Sequence, residues 1–404
     1  MYRRASPGWG TVCTLGLVRI KNLRLLTLFD VPIELHPSSF LMLGFVTWWV
    51  ATVVYPEQLR GQSSSTYLIM AIITGFAFFL SVVVHEIAHA VVARTYAVEV
   101  RNIVIMIFGG ITQTRDVKEP WPELVLSLAG PAANAAIGFV LLGGWWLLGA
   151  GSSRPLDHVL YWLAVTNLII AGFNLIPAFP MDGGRVLRAT LWLFTGSFHS
   201  ATTFSAWLGR GFGWILIAVG ILTAFQVRGF LVHDRPVAIS SGVISVLIGI
   251  FLEDVARRAL LQTRVLQALE KYLAIDLMLA RPPVVAPDDL LGPLAREVLE
   301  LNPRVVYFVE EQGRLTGILG SWQIREVPER KWDEVTVGEA MVPAAKLHAI
   351  RPDSTVADAL KEMEHADLTH VPVVSDGEVL GVLGRDRILG VLYQKGFLRT
   401  ARVG

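Results

Sequence analysis

Cysteine is almost absent from this chain. Cys13 is the sole one among 404 residues, which excludes an intramolecular disulfide and any cysteine-built zinc site. A bound metal must therefore be held by histidine and carboxylate. Charge is scarce as well. Asp, Glu, Lys and Arg make up 17% of the residues and the net charge is +1, so electrostatics gives no reason to expect nucleic acid as a partner. The stretch from Met1 to Val18 lacks a clean apolar run followed by a small-residue cleavage site, and no cleaved leader is expected. Apolar side chains, by contrast, are abundant: hydrophobic residues make up 53% and the mean hydropathy is +0.52. That balance points to a polytopic α-helical membrane protein that also carries a soluble part.

About six runs suit a bilayer: Ser38–Tyr55, Tyr67–Ala93, Leu124–Leu148, His158–Ile176, Ser205–Phe225 and Val237–Leu252. Lys and Arg placement orients them. Arg3, Arg4, Arg19, Lys21 and Arg24 precede the first run, and Arg94, Arg101, Arg115 and Lys118 follow the second. Arg185 and Arg188 follow the fourth, and Arg257 and Arg258 the sixth. With six spans all of these lie on one side, so both termini are expected in the cytosol. Arg60, Arg154, Arg228 and Arg235 fall on the other side, so the bias is incomplete.

The chain changes character near Arg257. Residues 1–37 read as a cytosolic or interfacial segment, 38–255 as the transmembrane domain and 256–273 as a linker helix. Two similar α+β units follow, over 274–328 and 335–393. Each opens with a short apolar element, Leu277-Met278-Leu279 or Ala340-Met341-Val342. Each continues into a helix, Asp289–Leu301 or Thr355–His365, the second with Ser354 as its expected N-cap. Each ends in a strand, a turn marked by Gly313 or Asp376-Gly377, and a second strand. This tandem resembles a CBS-domain pair. The resemblance implies a regulatory module, a homodimer and an adenine nucleotide as ligand. Gly317–Gln323 and Gly381–Arg387 depart from the nucleotide-binding Gly-x-x-Thr-x-x-Asp pattern, both lacking its Thr and Asp, with Asp386 one residue early.

The chemistry sits in the second span. His85-Glu86-Ile87-Ala88-His89 places two histidines four apart on one helix face, where they can grip one ion. Glu86 beside them can act as general base on a metal-bound water. Ionisable groups inside a transmembrane helix point to function. A zinc hydrolase has three protein ligands. The best candidate for the third is Asp182, in Asn174-Leu175-Ile176-Pro177-Ala178-Phe179-Pro180-Met181-Asp182-Gly183-Gly184-Arg185. There Pro177 and Pro180 break the helix and Gly183-Gly184 permit irregular backbone. Spans two and four run in the same direction, which brings both motifs to a similar depth. A helix-interface role for the histidines, or a cap role for Asp182, is the plainer alternative.

An HExxH on one transmembrane helix with Asn-x-x-Pro-x-x-Pro-x-Asp-Gly-Gly on a later one resembles the site-2 protease family of intramembrane zinc metalloproteases. The resemblance runs well over Val31 to Thr190. It implies that His85, His89 and Asp182 hold one zinc ion, that Glu86 is the catalytic base and that Asn174 contacts the substrate or the developing oxyanion. Gly130-Pro131-Ala132-Ala133-Asn134 resembles the family's Gly-Pro-x-x-Asn, with Asn134 facing the site. Phe108-Gly109-Gly110-Ile111 resembles its membrane-edge hairpin, so Gly109 and Gly110 are expected to receive an unwound substrate strand. The implied substrate is a transmembrane protein, cut near the cytosolic leaflet. A CBS-gated transporter or channel binding a cation at the same residues is the alternative. It requires inverted helix repeats and a through-going polar path, and neither is evident.

Overall fold

The computed structural model describes residues 22–28, 31–106, 109–114, 117–148, 154–225, 235–280, 282–300, 306–344, 347, 349–365, 368–375 and 378–396. Phe108, the Asp376–Gly377 turn, Arg115, Arg228 and the five basic residues before the first span, Arg24 excepted, lie outside them. The chain divides at Thr263/Arg264 into two compact units.

The first unit opens with strands β1 (Leu23–Leu28) and β2 (Val31–Leu35). Helix α1 (Ser38–Trp49) continues through a π-turn at Val50–Val54 into α2 (Tyr55–Gln58). Then come α3 (Ser64–Thr95), β3 (Val100–Met106), β4 (Gly109–Thr114), α4 (Pro120–Leu147) and α5 (Pro155–Asn174). A short helix α6 (Asp182–Thr195) precedes α7 (Phe198–Ala224) and the long α8 (Arg235–Leu269). Among the described residues five helices have the length and apolar composition to cross a membrane: Ser38–Gln58, α3, α4, α5 and α7. The sixth expected span, Val237–Leu252, forms the first half of α8, which runs on into charged residues.

The outer face of α3 shows why these helices need lipid. Leu68, Ile69, Ile72, Ile73, Phe76 and Leu80 recur at helical spacing and are all more than half exposed. The opposite face buries Met70, Thr74, Val82, His85, Glu86 and His89. An apolar stripe of that kind on a solvated protein would be a liability, whereas a bilayer satisfies it. Close packing inside the unit relies on missing side chains. A Cβ on Gly220 would fall 2.6 Å from the Gly242 carbonyl, and one on Gly249 2.7 Å from that of Gly213, so α7 and α8 touch backbone to backbone.

Two features of this unit differ from the sequence-based expectation. Residues before the first span, read from sequence as a cytosolic or interfacial segment with no element assigned, form a hairpin. Strand β2 pairs in parallel with β3 (Ile33 opposite Ile103, Leu35 opposite Ile105), giving a four-stranded sheet of order β1-β2-β3-β4. The driving force is burial: Ile33, Leu35, Ile103 and Ile105 pack with Val82 and Val83 of α3. The stretch after Pro180 is also helical, since Asp182 opens α6 with Met181 as its N-cap.

The second unit contains α9 (Ala274–Leu277), β5 (Leu279–Ala280), β6 (Val284–Val285), α10 (Leu291–Glu300), β7 (Val306–Glu311), β8 (Arg314–Gly320) and α11 (Ser321–Glu326). Then follow α12 (Val337–Ala340), β9 (Val342–Pro343), α13 (Val356–His365), β10 (His370–Ser375), β11 (Glu378–Gly384) and α14 (Arg385–Gln394). The β7–β8 turn uses Gly313 at φ 76°, a conformation glycine adopts without strain. The two sheets exchange strands. β5 pairs with β11, and β9 pairs with β8, so each sheet takes a short edge strand from the other copy. Thr355, not Ser354, caps α13, its hydroxyl accepting from the Asp358 amide at 3.1 Å.

Candidate metal centre

Helix periodicity brings the two histidines of α3 together. The Nε2 atoms of His85 and His89 are 3.2 Å apart, and both rings are buried. Asp182 Oδ2 lies 3.2 Å from His85 Nε2 and 3.3 Å from His89 Nε2. Three ligand atoms thus form a near-equilateral triangle. Bonds of about 2.0–2.1 Å to a tetrahedral ion place its ligands about 3.3–3.4 Å apart, so the spacing fits one zinc ion. The tautomer fits too. Nδ1 of His89 donates to the Leu126 carbonyl at 2.7 Å, which leaves its Nε2 lone pair for a metal. Among the described residues this is the His/Asp cluster able to hold an ion.

Asp182 is carried there by local sequence. Helix α5 ends at Asn174, and the loop through Pro177 and a cis Phe179–Pro180 bond turns the chain back into α6. Gly183 and Gly184 serve close approach rather than irregular backbone. A Cβ on Gly183 would sit 2.4 Å from the Leu175 and Ile176 carbonyls, and one on Gly184 2.5 Å from the backbone of Ala178 and Phe179. Helix α6 is then tied to α4. Glu123, almost wholly buried, accepts a hydrogen bond from Arg188, and Arg185 lies 3.9 Å from the same carboxylate oxygen. The Arg188 guanidinium also stacks against Phe179 (5.2 Å) and Phe198 (4.8 Å), pinning the loop that precedes Asp182.

Glu86 lies beside the triangle, and strand β4 holds it. The Thr112 hydroxyl donates to Glu86 Oε2 at 2.7 Å. Gly110 leaves room for the same side chain, since a Cβ there would fall 2.3 Å from Glu86 Cγ. Gly109, one residue earlier, pairs with Met106 at the start of β4. On α4, a Cβ on Gly130 would lie 2.4 Å from both histidine Nε2 atoms. Asn134 follows one turn later on the same face, fully buried, with neither amide atom bonded to protein. Asn174 stands apart: it ends α5, half-buried, and among the described residues no hydrogen bond joins it to Glu86 or to the triangle.

Sequence reasoning missed three supporting groups. Glu123 sits one residue before the third apolar run and was set outside it, although a lone acid there could have been matched with Arg185 and Arg188. The Leu126 carbonyl carries no sequence signal, because it is backbone. Thr112 reads as an ordinary strand residue.

Two buried histidines on the membrane helix α3, a largely buried carboxylate at the start of α6 and a glutamate alongside suit a membrane-embedded metallohydrolase. Comparison with known proteins agrees. The model of peptidase family M50 matches residues 73–152 and 149–218, and that of the CBS domain matches 337–394. A provisionally named zinc metalloprotease of Synechocystis sp. is 29% identical over 92% of this chain and 95% of its own length. A zinc metalloprotease of Methanocaldococcus jannaschii is 29% identical over 91% and 95%. A second, provisionally named one from that organism is 30% identical over 32% of this chain and 73% of its own length. A solved site-2 protease from M. jannaschii is 29% identical, with a TM-score of 0.41, covering 59% of this chain and 95% of that one. The chain belongs to peptidase family M50. It is a multi-pass membrane zinc metalloprotease with a C-terminal CBS region, and the transporter alternative is not favoured.

Proposed function

We propose that His85, His89 and Asp182 hold the zinc ion and that Glu86 is the general base of an intramembrane endopeptidase. The observation that carries this is the buried triangle of ligand atoms, 3.2–3.3 Å on each side, with the Glu86 carboxylate beside it. Zinc bound there supplies a Lewis acid that polarises the scissile carbonyl and lowers the pKa of water. Glu86 takes the proton of the attacking water on the oxygen that Thr112 leaves free, then delivers it to the leaving amine. Asn134 offers its unpaired amide to the substrate backbone, and Asn174 donates to the developing oxyanion once substrate is seated. A substrate helix hides its peptide bonds in its own hydrogen bonds, so it must be extended before cleavage. Among the described residues β4 pairs only with β3, and Gly109 and Gly110 open the free edge where an extended strand can add.

The same reading places both termini in the cytosol, from the Lys and Arg distribution, and the cut near the cytosolic leaflet, releasing a membrane-tethered fragment. The transmembrane domain spans 38–255, joined by residues 256–273 to the CBS copies at 274–328 and 335–393. The CBS pair is the regulatory half and joins two chains, with an adenine nucleotide as the first ligand to test. Cleavage of a transmembrane substrate in detergent by the parent protein and by Glu86→Gln, with zinc measured on both, tests the core of this. Zinc retained and cleavage lost in Glu86→Gln is the expected result. Undiminished cleavage by that variant would remove Glu86 from its role.

A further inference from the structure

As general base, Glu86 must present one particular oxygen to water, yet α3 alone cannot dictate how a carboxylate at the end of three rotatable bonds turns. The structure shows what does. Thr112 Oγ1 lies 2.7 Å from Glu86 Oε2 and 3.3 Å from the Glu86 carbonyl, so one hydroxyl reaches both the side chain and the backbone of the same residue. Only carboxylate and carbonyl oxygens are offered to it, so the hydroxyl must donate. Gly110 lies two residues earlier, on the same face of β4. Its missing side chain is what lets Glu86 approach, because a Cβ there would fall 2.7 Å from Oε1. The strand thus binds one oxygen through Thr112 and seats the rest of the carboxylate closely against Gly110. That strand is also the sheet edge: β4 has β3 on one side and, among the described residues, no strand on the other.

We propose that Thr112 is a positioning residue for Glu86, and that strand β4 joins substrate docking to alignment of the base. A peptide adding to the free edge hydrogen-bonds to the same short strand whose Thr112 aims the carboxylate. Docking therefore fixes at once the scissile bond and the group that activates water against it. This deepens, and rests on, the assignment of Glu86 as base.

The test compares the full-length parent, Thr112→Val, Thr112→Ser and Glu86→Gln in detergent, with zinc content, kcat and KM measured on each. Valine keeps the shape and removes the donor. A hydrogen bond to a charged group is the interaction lost, so kcat should fall about 10- to 100-fold, less than the loss expected on removing a general base. KM and zinc content should stay at the parent values, and Thr112→Ser should recover most of the rate. The carboxylate stretching band assigned to Glu86 by subtraction of the Glu86→Gln spectrum should shift in Thr112→Val and return in Thr112→Ser. Parent-like kcat in Thr112→Val, equal defects in the valine and serine variants, loss of zinc, or a rise in KM alone would each overturn the proposal. Parent-like cleavage by Glu86→Gln would instead overturn the base assignment beneath it, so the two failures are distinguishable.

Discussion

Gly130 faces Nε2 of both His85 and His89, the proposed zinc ligands, which makes Gly130→Ala the sharpest perturbation the geometry offers. The new methyl carbon would sit 2.4 Å from Nε2 of His85 and from Nε2 of His89, where ordinary contact begins at 3.4 Å. Relief requires a displacement of 3.4 − 2.4 = 1.0 Å, shared between α4 and the two rings. Zinc–ligand distances tolerate about 0.2 Å, so movement on this scale breaks the coordination rather than stretching it. Disturbing the surroundings of a ligand typically costs 10–100-fold in metal affinity, and a clash at two ligand atoms together should cost at least about 100-fold. The strain can also be met by pushing His89 away from the Leu126 carbonyl, which loses the tautomer control as well. The assay is zinc content after dialysis against a metal buffer, followed by cleavage. Gly143→Ala on the same helix is the control, since nothing lies within 4 Å of a Cβ there, and it should keep both zinc and activity. A Gly130→Ala protein that holds zinc with parent affinity and cleaves normally would refute the reasoning.

Two further outcomes are expected. Glu123→Ala strands Arg188 in a largely buried site and should cost about 3–5 kcal/mol by denaturant unfolding in detergent, while Glu123→Leu with Arg188→Met should recover at least half of it. A double variant as damaged as the sum of its singles would show that the pair is not coupled. His370 is a pH sensor of stability. Burial holds it down to about 4, with Asp386 opposing and Arg385 reinforcing the shift, against an ordinary value of 6.5. The folded state therefore resists protonation that the unfolded chain accepts. Its contribution is complete above pH 6.5 and is lost as the pH falls through about 4, amounting to about 3 kcal/mol over that range. Corrected hydrogen-exchange protection of Val371–Val373 in the full-length chain should fall across this window, and the slope should flatten in His370→Gln.

The metal triangle was legible because each part leaves a local trace. The i, i+4 histidines declare a helix face, and a carboxylate among prolines and glycines declares a break at membrane depth. The placement of Asn134 on the Gly130 face of α4 was legible for a similar reason, the two being four residues apart on one helix. What could not be read is what depends on distant pairing. The β2–β3 match joins residues 70 apart, and neither strand states its partner. Helix α6 was hidden because Pro180 and Gly183-Gly184 look like irregular chain, although the glycines are there so that a helix start can lie against the Leu175–Phe179 backbone. The span start expected at Ser205 falls inside α7, because Ser197 caps a helix that begins at Phe198, seven residues earlier, in a weakly polar stretch that hydropathy alone does not mark as helical.

The strand exchange in the C-terminal unit carries its own consequence. With β5 lodged beside β11 and β9 beside β8, the two copies are one cooperative object, however clearly they count as two in the sequence. A chain cut near residue 330 would keep β5 but lose the sheet that receives it, and would leave β8 with a bare edge. Neither half is a self-contained fold. Disturbing either copy bares an edge of the sheet that the other copy completes, so the two hold or lose their order together.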